Sequence, residues 1–221
     1  YPLVMMQYSG PASQRVTDTW RKRFGHYLAS QGYLVVCVDG RGTNARGRDW
    51  RNATYMELGV KEAEDQISAA MYLKTLSYVD GNRMAICGWS YGGYETLMCL
   101  SKQPELVWKC GIAVAPVTSW RLYDSAYTER YMRRPQVNEY GYEKADVINL
   151  AADLKGNLLL VHGLADDNVH AQQSWLYVDA LVQAGKQFEM QMYPDDNHFL
   201  RNGNNYEHLH NRIMLFLKRN L

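Results

Sequence analysis

Apolar residues along the chain gather in six short runs, separated by longer segments of helical periodicity. Several runs are apolar at consecutive positions, which is typical of strands in a parallel sheet covered by helices on both faces. The predicted strands cover residues 3–8, 33–39, 83–89, 110–116, 157–163 and 188–194. We expect these strands to form one sheet.

The segments between the strands carry apolar residues at helical spacing. In one of them, Val60, Ala63, Ile67 and Ala70 fall on a single helical face. The predicted helices cover residues 23–32, 60–76, 94–103, 171–185 and 206–221. Alternation of strands and helices predicts an α/β fold with a mostly parallel, doubly wound sheet. The irregular stretch 118–156 should hold short helices and loops at the carboxyl edge of that sheet, where such folds place active sites.

Composition narrows the class of protein. The chain has 221 residues, which fits one domain, and its net charge is +1 without any block of like charge. This balance argues against a nucleic-acid surface or a polybasic membrane patch. The four cysteines form no Cys-x-x-Cys motif and lie in apolar segments, so we expect free thiols instead of a disulfide framework.

A serine between glycines carries the strongest chemical signal. Gly88-Trp89-Ser90-Tyr91-Gly92 has the pattern G-x-S-x-G, and it follows a predicted strand and precedes a predicted helix. An ordinary strand-to-helix turn with serine as N-cap is the alternative. The strand and helix context favours a nucleophile elbow, the strained turn that exposes the reactive serine of the α/β-hydrolase fold.

A nucleophilic serine needs a base and an acid that orients it, in the order Ser, Asp or Glu, His in this fold. Asp166 and Asp167 follow the strand 157–163, and spacing alone does not separate them. His198 lies in the loop after the next strand and is the predicted base. Asp195 and Asp196 are too close in sequence to His198 for this role, but either can hold the loop by capping.

The remaining histidines have simpler interpretations. His162 ends a strand and is interpreted as a structural histidine, and His170 begins a helix. His26, His208 and His210 lie in helices, and the last two do not share a helical face. No metal-binding, P-loop or dinucleotide motif is present, so we expect no metal and no cofactor.

Longer strings extend this interpretation to a family. The strings are GWSYGGY (88–94), CGIAVAPVTSW (110–120), YDSAYTERYM (123–132) and HGLADDNVH (162–170). Together they resemble the catalytic domain of the prolyl oligopeptidase family of serine peptidases, in its dipeptidyl peptidase IV branch. The similarity runs from YSGPASQ (8–14) to the last predicted helix. It implies the α/β-hydrolase fold.

The resemblance also implies roles for particular residues. Ser90 would be the nucleophile, Asp166 the acid and His198 the general base. The oxyanion hole would use the Tyr8 hydroxyl and the Tyr91 backbone N–H. The family positions that form the proline pocket and hold the substrate carbonyl correspond to Val117, Trp120, Tyr123, Tyr127, Val169 and, for the carbonyl, Asn168. From spacing alone, the aromatic residues at 120, 123, 127 and 131 predict a core-facing stripe instead.

The implied activity is release of dipeptides from free N-termini, preferably after proline or alanine. The chain starts inside a strand-like run, and we expect residues 1–221 to be the C-terminal catalytic domain of a longer polypeptide whose N-terminal β-propeller anchors the substrate amine. A homodimer is a further expected partner, and the family expectation for location is periplasmic, membrane-associated or extracellular. Cys110 matches a cysteine that pairs near the C-terminus in some members, but no later cysteine exists here. The alternatives are a relative with tripeptidyl, acylaminoacyl or endopeptidase register, an esterase, and a non-catalytic binding protein.

Overall fold

The computed structural model describes residues 1–20 and 24–221 and contains a six-stranded sheet in the order β2-β1-β3-β4-β5-β6. Every neighbouring pair of strands is parallel. The strands are β1 (Leu3–Met6), β2 (Leu34–Val36), β3 (Met84–Trp89), β4 (Cys110–Val114), β5 (Asn157–Gly163) and β6 (Glu189–Tyr193). The predicted α/β-hydrolase fold with its parallel sheet is confirmed.

Helices cover both faces of the sheet, as a doubly wound fold requires. They are α1 (Phe24–Ser30), α2 (Arg48–Asn52), α3 (Val60–Lys74), α4 (Tyr91–Lys102), α5 (Ser125–Met132), α6 (Glu139–Lys144), α7 (Gln172–Gln183) and α8 (Asn205–Asn220). One buried apolar cluster includes residues of α3, α4 and α7, and a second includes residues of α1 and α8. Each face of the sheet therefore has its own core.

The predicted helix boundaries differ from the observed ones where the chain turns sharply. Helix α4 begins at Tyr91, directly after the elbow serine, although the apolar pattern places its start at residue 94. The two glycines in between have low helix propensity, but the close contact of this helix with β3 and β4 overrides that preference. The short helix α2 was not predicted, and residue 23, the predicted start of the first helix, lies outside the described residues.

Short helices occupy the stretch 118–156, as predicted. Besides α5 and α6, it contains 3-10 helices at Trp120–Leu122 and Ile148–Asp153. Asp124 and Asn138 cap the two α-helices by accepting backbone N–H groups through their side chains. These caps end the preceding turns and fix where the aromatic residues of this stretch point.

Three further features concern the cysteines, one ion pair and the length of the helices. Within the described residues, none of the four cysteines takes part in a disulfide, as expected. Arg41 makes an ion pair with Asp65 at 2.7 Å, in the turn that follows β2. Within residues 1–20 and 24–221, no helix has both the length and the apolar character needed to cross a bilayer.

The register of the sheet brings the candidate residues to one edge. Trp89 pairs with Val114, and Val114 pairs with Val161, so β3, β4 and β5 end at nearly the same level. Ser90 follows the first of these strands, and Asp166 follows the last. Because carboxyl ends of parallel strands share one edge, the elbow and the acidic loop are neighbours.

Candidate active site

Ser90 sits in a strained backbone conformation between β3 and α4. Its φ of 61° and ψ of −119° are unusual for a residue with a side chain, and such strain costs on the order of 1–3 kcal/mol. The Ser90 N–H donates to the Val114 carbonyl at 2.8 Å, and its own carbonyl accepts from Tyr94 at 3.0 Å. The strand and the helix thus hold the turn from both sides.

The glycines around the serine are required by close approach of the backbone. A Cβ atom on Gly88 would lie 2.1 Å from the Gly92 carbonyl oxygen, and one on Gly93 would lie 2.8 Å from the Val114 carbonyl oxygen. Real Cβ atoms do not come this close. The glycines therefore provide the space in which the strand and the helix approach each other.

An aspartate and a histidine meet beside this elbow. His198 Nδ1 lies 2.7 Å from Asp166 Oδ2, and both side chains are almost fully buried. Asp166 Oδ1 accepts the backbone N–H groups of Asn168 and Val169, both at 2.9 Å. Burial acts to raise the pKa of Asp166, but hydrogen bonds from His162 and His198 outweigh it and hold that pKa well below its ordinary value. Asp167 points to solvent.

Two contacts fix the loop that carries His198. Trp89 Nε1 donates to the His198 carbonyl at 2.9 Å, which ties the loop to the residue before Ser90. The buried Asp196 carboxylate accepts the backbone N–H groups of Asn197, Arg201 and Asn202 at 3.0–3.1 Å. The capping role expected for one of the aspartates near His198 therefore falls to Asp196.

A catalytic proton would pass from Ser90 Oγ to His198 Nε2, and neither atom is engaged in another hydrogen bond within the described residues. In unliganded sites such bonds are often long and tighten only with substrate. The Asp166 contact leaves Nε2, the other ring nitrogen, available as a base.

Tyr8 follows β1 by two residues and is half-buried. Burial raises the pKa of its phenol and the Arg15 guanidinium, 4.7 Å from the ring centre, opposes this. The net rise keeps the hydroxyl protonated at neutral pH, as a hydrogen-bond donor must be. Its ring centre lies 6.0 Å from that of Tyr91, at the start of the elbow helix.

A buried polar network that the sequence reasoning missed holds the backbone around Tyr8. Gln7 Nε2 donates to the Gly92 carbonyl at 2.7 Å, and Gln7 Oε1 accepts from Ser9 Oγ at 3.0 Å. Gln66 Nε2, from α3, donates to Ser9 Oγ at 3.1 Å. Polar residues at alternate positions of a buried strand end were the signal available for Gln7 and Ser9. The network links Tyr8 to the elbow helix.

Tyr91 is anchored by a buried carboxyl group. Its hydroxyl donates to Glu62 Oε1 at 2.8 Å. Burial raises the pKa of Glu62 to about 8, against the opposing effect of this hydrogen bond. The Tyr91 backbone N–H is the first of α4 and has no intrahelical partner, so it can donate to a group outside the helix.

Aromatic rings of the stretch 118–156 form a cluster next to Tyr91. The Trp120 ring centre lies 5.4 Å from that of Tyr91, 5.8 Å from Tyr123 and 6.0 Å from Tyr127. Trp120 is buried, whereas Tyr123 and Tyr127 are half-buried. These rings pack on the core, as the spacing predicts. They do not line a single helix, because Asp124 starts a new helix and the rings converge on one cluster.

The remaining predicted pocket residues come from two places: Asn168 and Val169 lie on the acidic loop, and Val117 follows β4. Tyr123 Oη donates to Asn168 Oδ1 at 2.8 Å, which leaves the exposed Asn168 amide N–H groups free to donate. Val117 and Val169 are buried in the same apolar cluster as Trp120. Tyr123 thus joins the aromatic cluster to the acidic loop, and both valines belong to the core on the sheet face that carries Trp120.

The other histidines have local partners. His208 Nδ1 forms a hydrogen bond with Tyr193 Oη at 2.9 Å, and His210 Nδ1 forms one with the Tyr206 carbonyl oxygen at 2.6 Å. His170 Nδ1 accepts the Gln172 N–H at the start of α7. His26 lies in α1, near the Trp20 ring. Within the described residues, no three His, Cys, Asp or Glu side chains are grouped to hold a metal ion.

A parallel six-stranded sheet with a strained serine between its central strand and the following helix defines an α/β-hydrolase-fold protein. Sequence comparison gives the narrower class. The sequence profile of the prolyl oligopeptidase family matches residues 21–221. The chain therefore belongs to the prolyl oligopeptidase family.

Individual relatives point to one branch of that family. The chain is 48% identical over 218 residues to a probable dipeptidyl-aminopeptidase B of Neurospora crassa, covering 97% of this chain and 23% of that protein. It superposes on the crystal structure of Porphyromonas gingivalis dipeptidyl peptidase 4 with a TM-score of 0.98 at 54% identity, covering 100% of this chain and 31% of that one.

A second solved structure is also similar, a putative dipeptidyl aminopeptidase IV from Bacteroides ovatus, with a TM-score of 0.95 at 37% identity. It is again covered over 31% of its length, and this chain over 100%. The chain thus spans about a quarter to a third of the length of the relatives that it matches.

Proposed function

We propose that the chain is the catalytic part of a serine exopeptidase that releases dipeptides from free N-termini, preferably after proline or alanine. The observation that carries this proposal is the 2.7 Å contact between Asp166 and His198, in a loop tied at 2.9 Å to the residue before Ser90. Names of the relatives, which include dipeptidyl peptidases from several organisms, support the dipeptidyl register.

In the proposed reaction, Ser90 Oγ attacks the carbonyl carbon of the second residue of the substrate. His198 Nε2 takes the Ser90 proton, while Asp166 stabilises the imidazolium through Nδ1. The Tyr8 hydroxyl and the Tyr91 N–H stabilise the oxyanion. His198 then gives its proton to the leaving amine as the C–N bond breaks, which leaves the dipeptide as an ester on Ser90. In the second half, His198 takes a proton from the attacking water and returns it to Ser90 Oγ as the ester bond breaks.

The aromatic cluster suits a proline side chain. Proline presents a flat, rigid ring that has no side-chain entropy to lose when it is bound. Trp120, Tyr123 and Tyr127 offer apolar ring surface, and Val117 and Val169 support it from the core. The Asn168 amide would donate to the substrate carbonyl, because its oxygen is already occupied by Tyr123.

The first experiment compares two substrates. A dipeptide Xaa-Pro linked to a chromophore is offered with a free amine and in N-acetylated form, using the full-length protein. Release of chromophore from the free-amine form only is the expected result. Equal release from both forms would contradict the dipeptidyl register and favour an endopeptidase, an acylaminoacyl peptidase or an esterase. Release from neither would contradict the proposed substrate.

Removal of the Tyr8 hydroxyl tests the oxyanion hole. We expect Tyr8→Phe to lower kcat by about 10²- to 10³-fold with little change in KM, because one donor to the transition state is lost. Steady-state kinetics on the free-amine substrate measure this. Tyr131→Phe, on the same aromatic cluster but at the end of α5, is the matched control and should retain activity. An unchanged kcat in Tyr8→Phe would remove this residue from the mechanism.

The proposal extends to the rest of the polypeptide. We propose that residues 1–221 form one catalytic domain and that an N-terminal β-propeller of the same polypeptide supplies acidic groups for the substrate amine. The short coverage of the longer relatives supports this arrangement. Peptides with a free N-terminus are the proposed substrates, and a homodimer is the proposed assembly.

A further inference from the structure

A second histidine contacts Asp166, the aspartate of the proposed triad. His162, near the end of β5, is fully buried, and its Nε2 atom lies 2.7 Å from the Val169 carbonyl oxygen and 3.3 Å from Asp166 Oδ2. Its other ring nitrogen, Nδ1, lies 2.7 Å from Ser174 Oγ, on α7. The sequence suggested only a structural role for this residue.

These partners determine which nitrogen carries the proton. A backbone carbonyl can only accept, and so can an ionised carboxylate, so Nε2 must be the donor. In the neutral ring, Nδ1 then accepts from the Ser174 hydroxyl, which can donate. The Nε2–H is therefore shared between the Val169 carbonyl and Asp166 Oδ2.

We propose that His162 is a positioning residue for Asp166, the aspartate of the proposed triad, and that its Nε2–H donor holds Asp166 Oδ2 and the Val169 carbonyl together. This inference rests on the proposed function, in which Asp166 orients His198. It assigns to His162 two tasks: it fixes the loop 166–169, and it limits the basicity of the oxygen that faces His198.

The first task couples the acid to the substrate pocket. Asp166 Oδ1 already accepts the N–H groups of Asn168 and Val169. The His162 ring closes the other side of this loop by holding the Val169 carbonyl. A shift of the ring would therefore move the acid and the wall of the proline pocket at the same time.

The second task is electrostatic. Asp166 Oδ2 receives N–H groups from two histidines, His198 at 2.7 Å and His162 at 3.3 Å. Tyr123 is the further titratable side chain whose pKa responds to the Asp166 charge. Without the His162 donor, the carboxylate would be a stronger acceptor for His198 and would stabilise its charged form more. The acidic limb of the pH profile should then move to higher pH.

Two substitutions separate these roles from simple packing. The amide nitrogen of glutamine can take the place of Nε2, whereas that of asparagine takes the place of Nδ1 and leaves the Nε2 position empty. We expect His162→Asn to lower kcat about 10- to 100-fold, the range found when outer partners of metal-ligating groups are lost. It should also raise the acidic midpoint of kcat/KM by at least ~0.5 pH unit. His162→Gln should restore both.

The measurements use the full-length protein, with active sites counted by a fluorophosphonate that labels Ser90. Equal losses in both variants with an unchanged pH midpoint would overturn the proposal, because a packing role predicts that pattern. Failure of the parent to be labelled would instead contradict the proposed function. Independently of folding in either variant, ¹⁵N NMR of the parent should show His162 protonated at Nε2, and protonation at Nδ1 alone would overturn the assignment.

Discussion

Ser90→Ala is expected to abolish peptide hydrolysis while leaving the fold intact. Loss of a serine nucleophile in a Ser-His-Asp site lowers kcat by about 10⁶-fold, and the activity that remains comes from the oxyanion hole and substrate binding. The side chain of Ser90 makes no hydrogen bond within the described residues, so its removal breaks no hydrogen bond there. The strained backbone of the turn suits alanine no worse than serine. Chromophore release from Xaa-Pro substrate measures the effect.

Binding and stability provide the controls for this prediction. The variant should bind a substrate-like dipeptide with unchanged affinity and unfold at the temperature of the parent protein. Ser30→Ala, at the exposed end of α1, is the matched serine substitution and should keep full activity. Hydrolysis by Ser90→Ala within tenfold of the parent rate would exclude Ser90 as the nucleophile.

The fold was predictable because local patterns of apolar residues indicate each strand and most of the longer helices. The run 157–163 is observed as β5 with the predicted bounds, since its apolar residues are buried on both faces. The predicted ends of helices differ from the observed ones where tertiary contacts override the local helix propensity. Helix α4 extends back to Tyr91 because β3 and β4 receive its glycines closely, and no periodicity in the sequence reports that contact.

The chemical residues were predictable to different extents. Ser90 is marked by its turn, and His198 by its place after the strand that follows the acidic loop. Asp166 and Asp167 are equivalent by spacing, and the sequence favours Asp166 only through the family resemblance. The three-dimensional turn separates them physically: the first is 2% exposed and contacts His198, whereas the second points to solvent. The direction in which each side chain points thus distinguishes the two aspartates within one loop.

The aromatic cluster and the supporting polar groups needed the structure most. Periodicity joined Trp120, Tyr123 and Tyr127 into one helical stripe, but the Asp124 cap breaks that helix. The partners of Gln7 and Glu62 are more than 25 residues away in sequence, at Gly92 and Tyr91 respectively. Contacts of this kind leave no local pattern, because they depend on how separate elements pack.

Asp166→Asn is expected to lower kcat by about 10⁴-fold through a wrong histidine tautomer. The Oδ1 position of Asp166 accepts two backbone N–H groups, from Asn168 and Val169, so the oxygen of the asparagine amide must occupy that position. Its NH₂ group then replaces Oδ2 and faces His198 Nδ1. Nδ1 must accept this hydrogen bond, which moves the imidazole proton to Nε2, and a protonated Nε2 cannot take the proton of Ser90.

The neighbouring aspartate supplies the matched control. Asp167→Asn changes the same charge one residue away, on a side chain that points to solvent, and should keep activity within about twofold. Rates with the Xaa-Pro substrate, corrected for the number of Ser90 sites that a fluorophosphonate labels at long times, measure both variants. A similar loss of kcat in both variants would show that the charge of the loop, and not the orientation of His198, causes the effect. Full activity in Asp166→Asn would refute the orienting role of Asp166, because the two backbone donors at 2.9 Å outweigh the single His162 donor, 3.3 Å from the Oδ2 position, and hold the amide oxygen on their side.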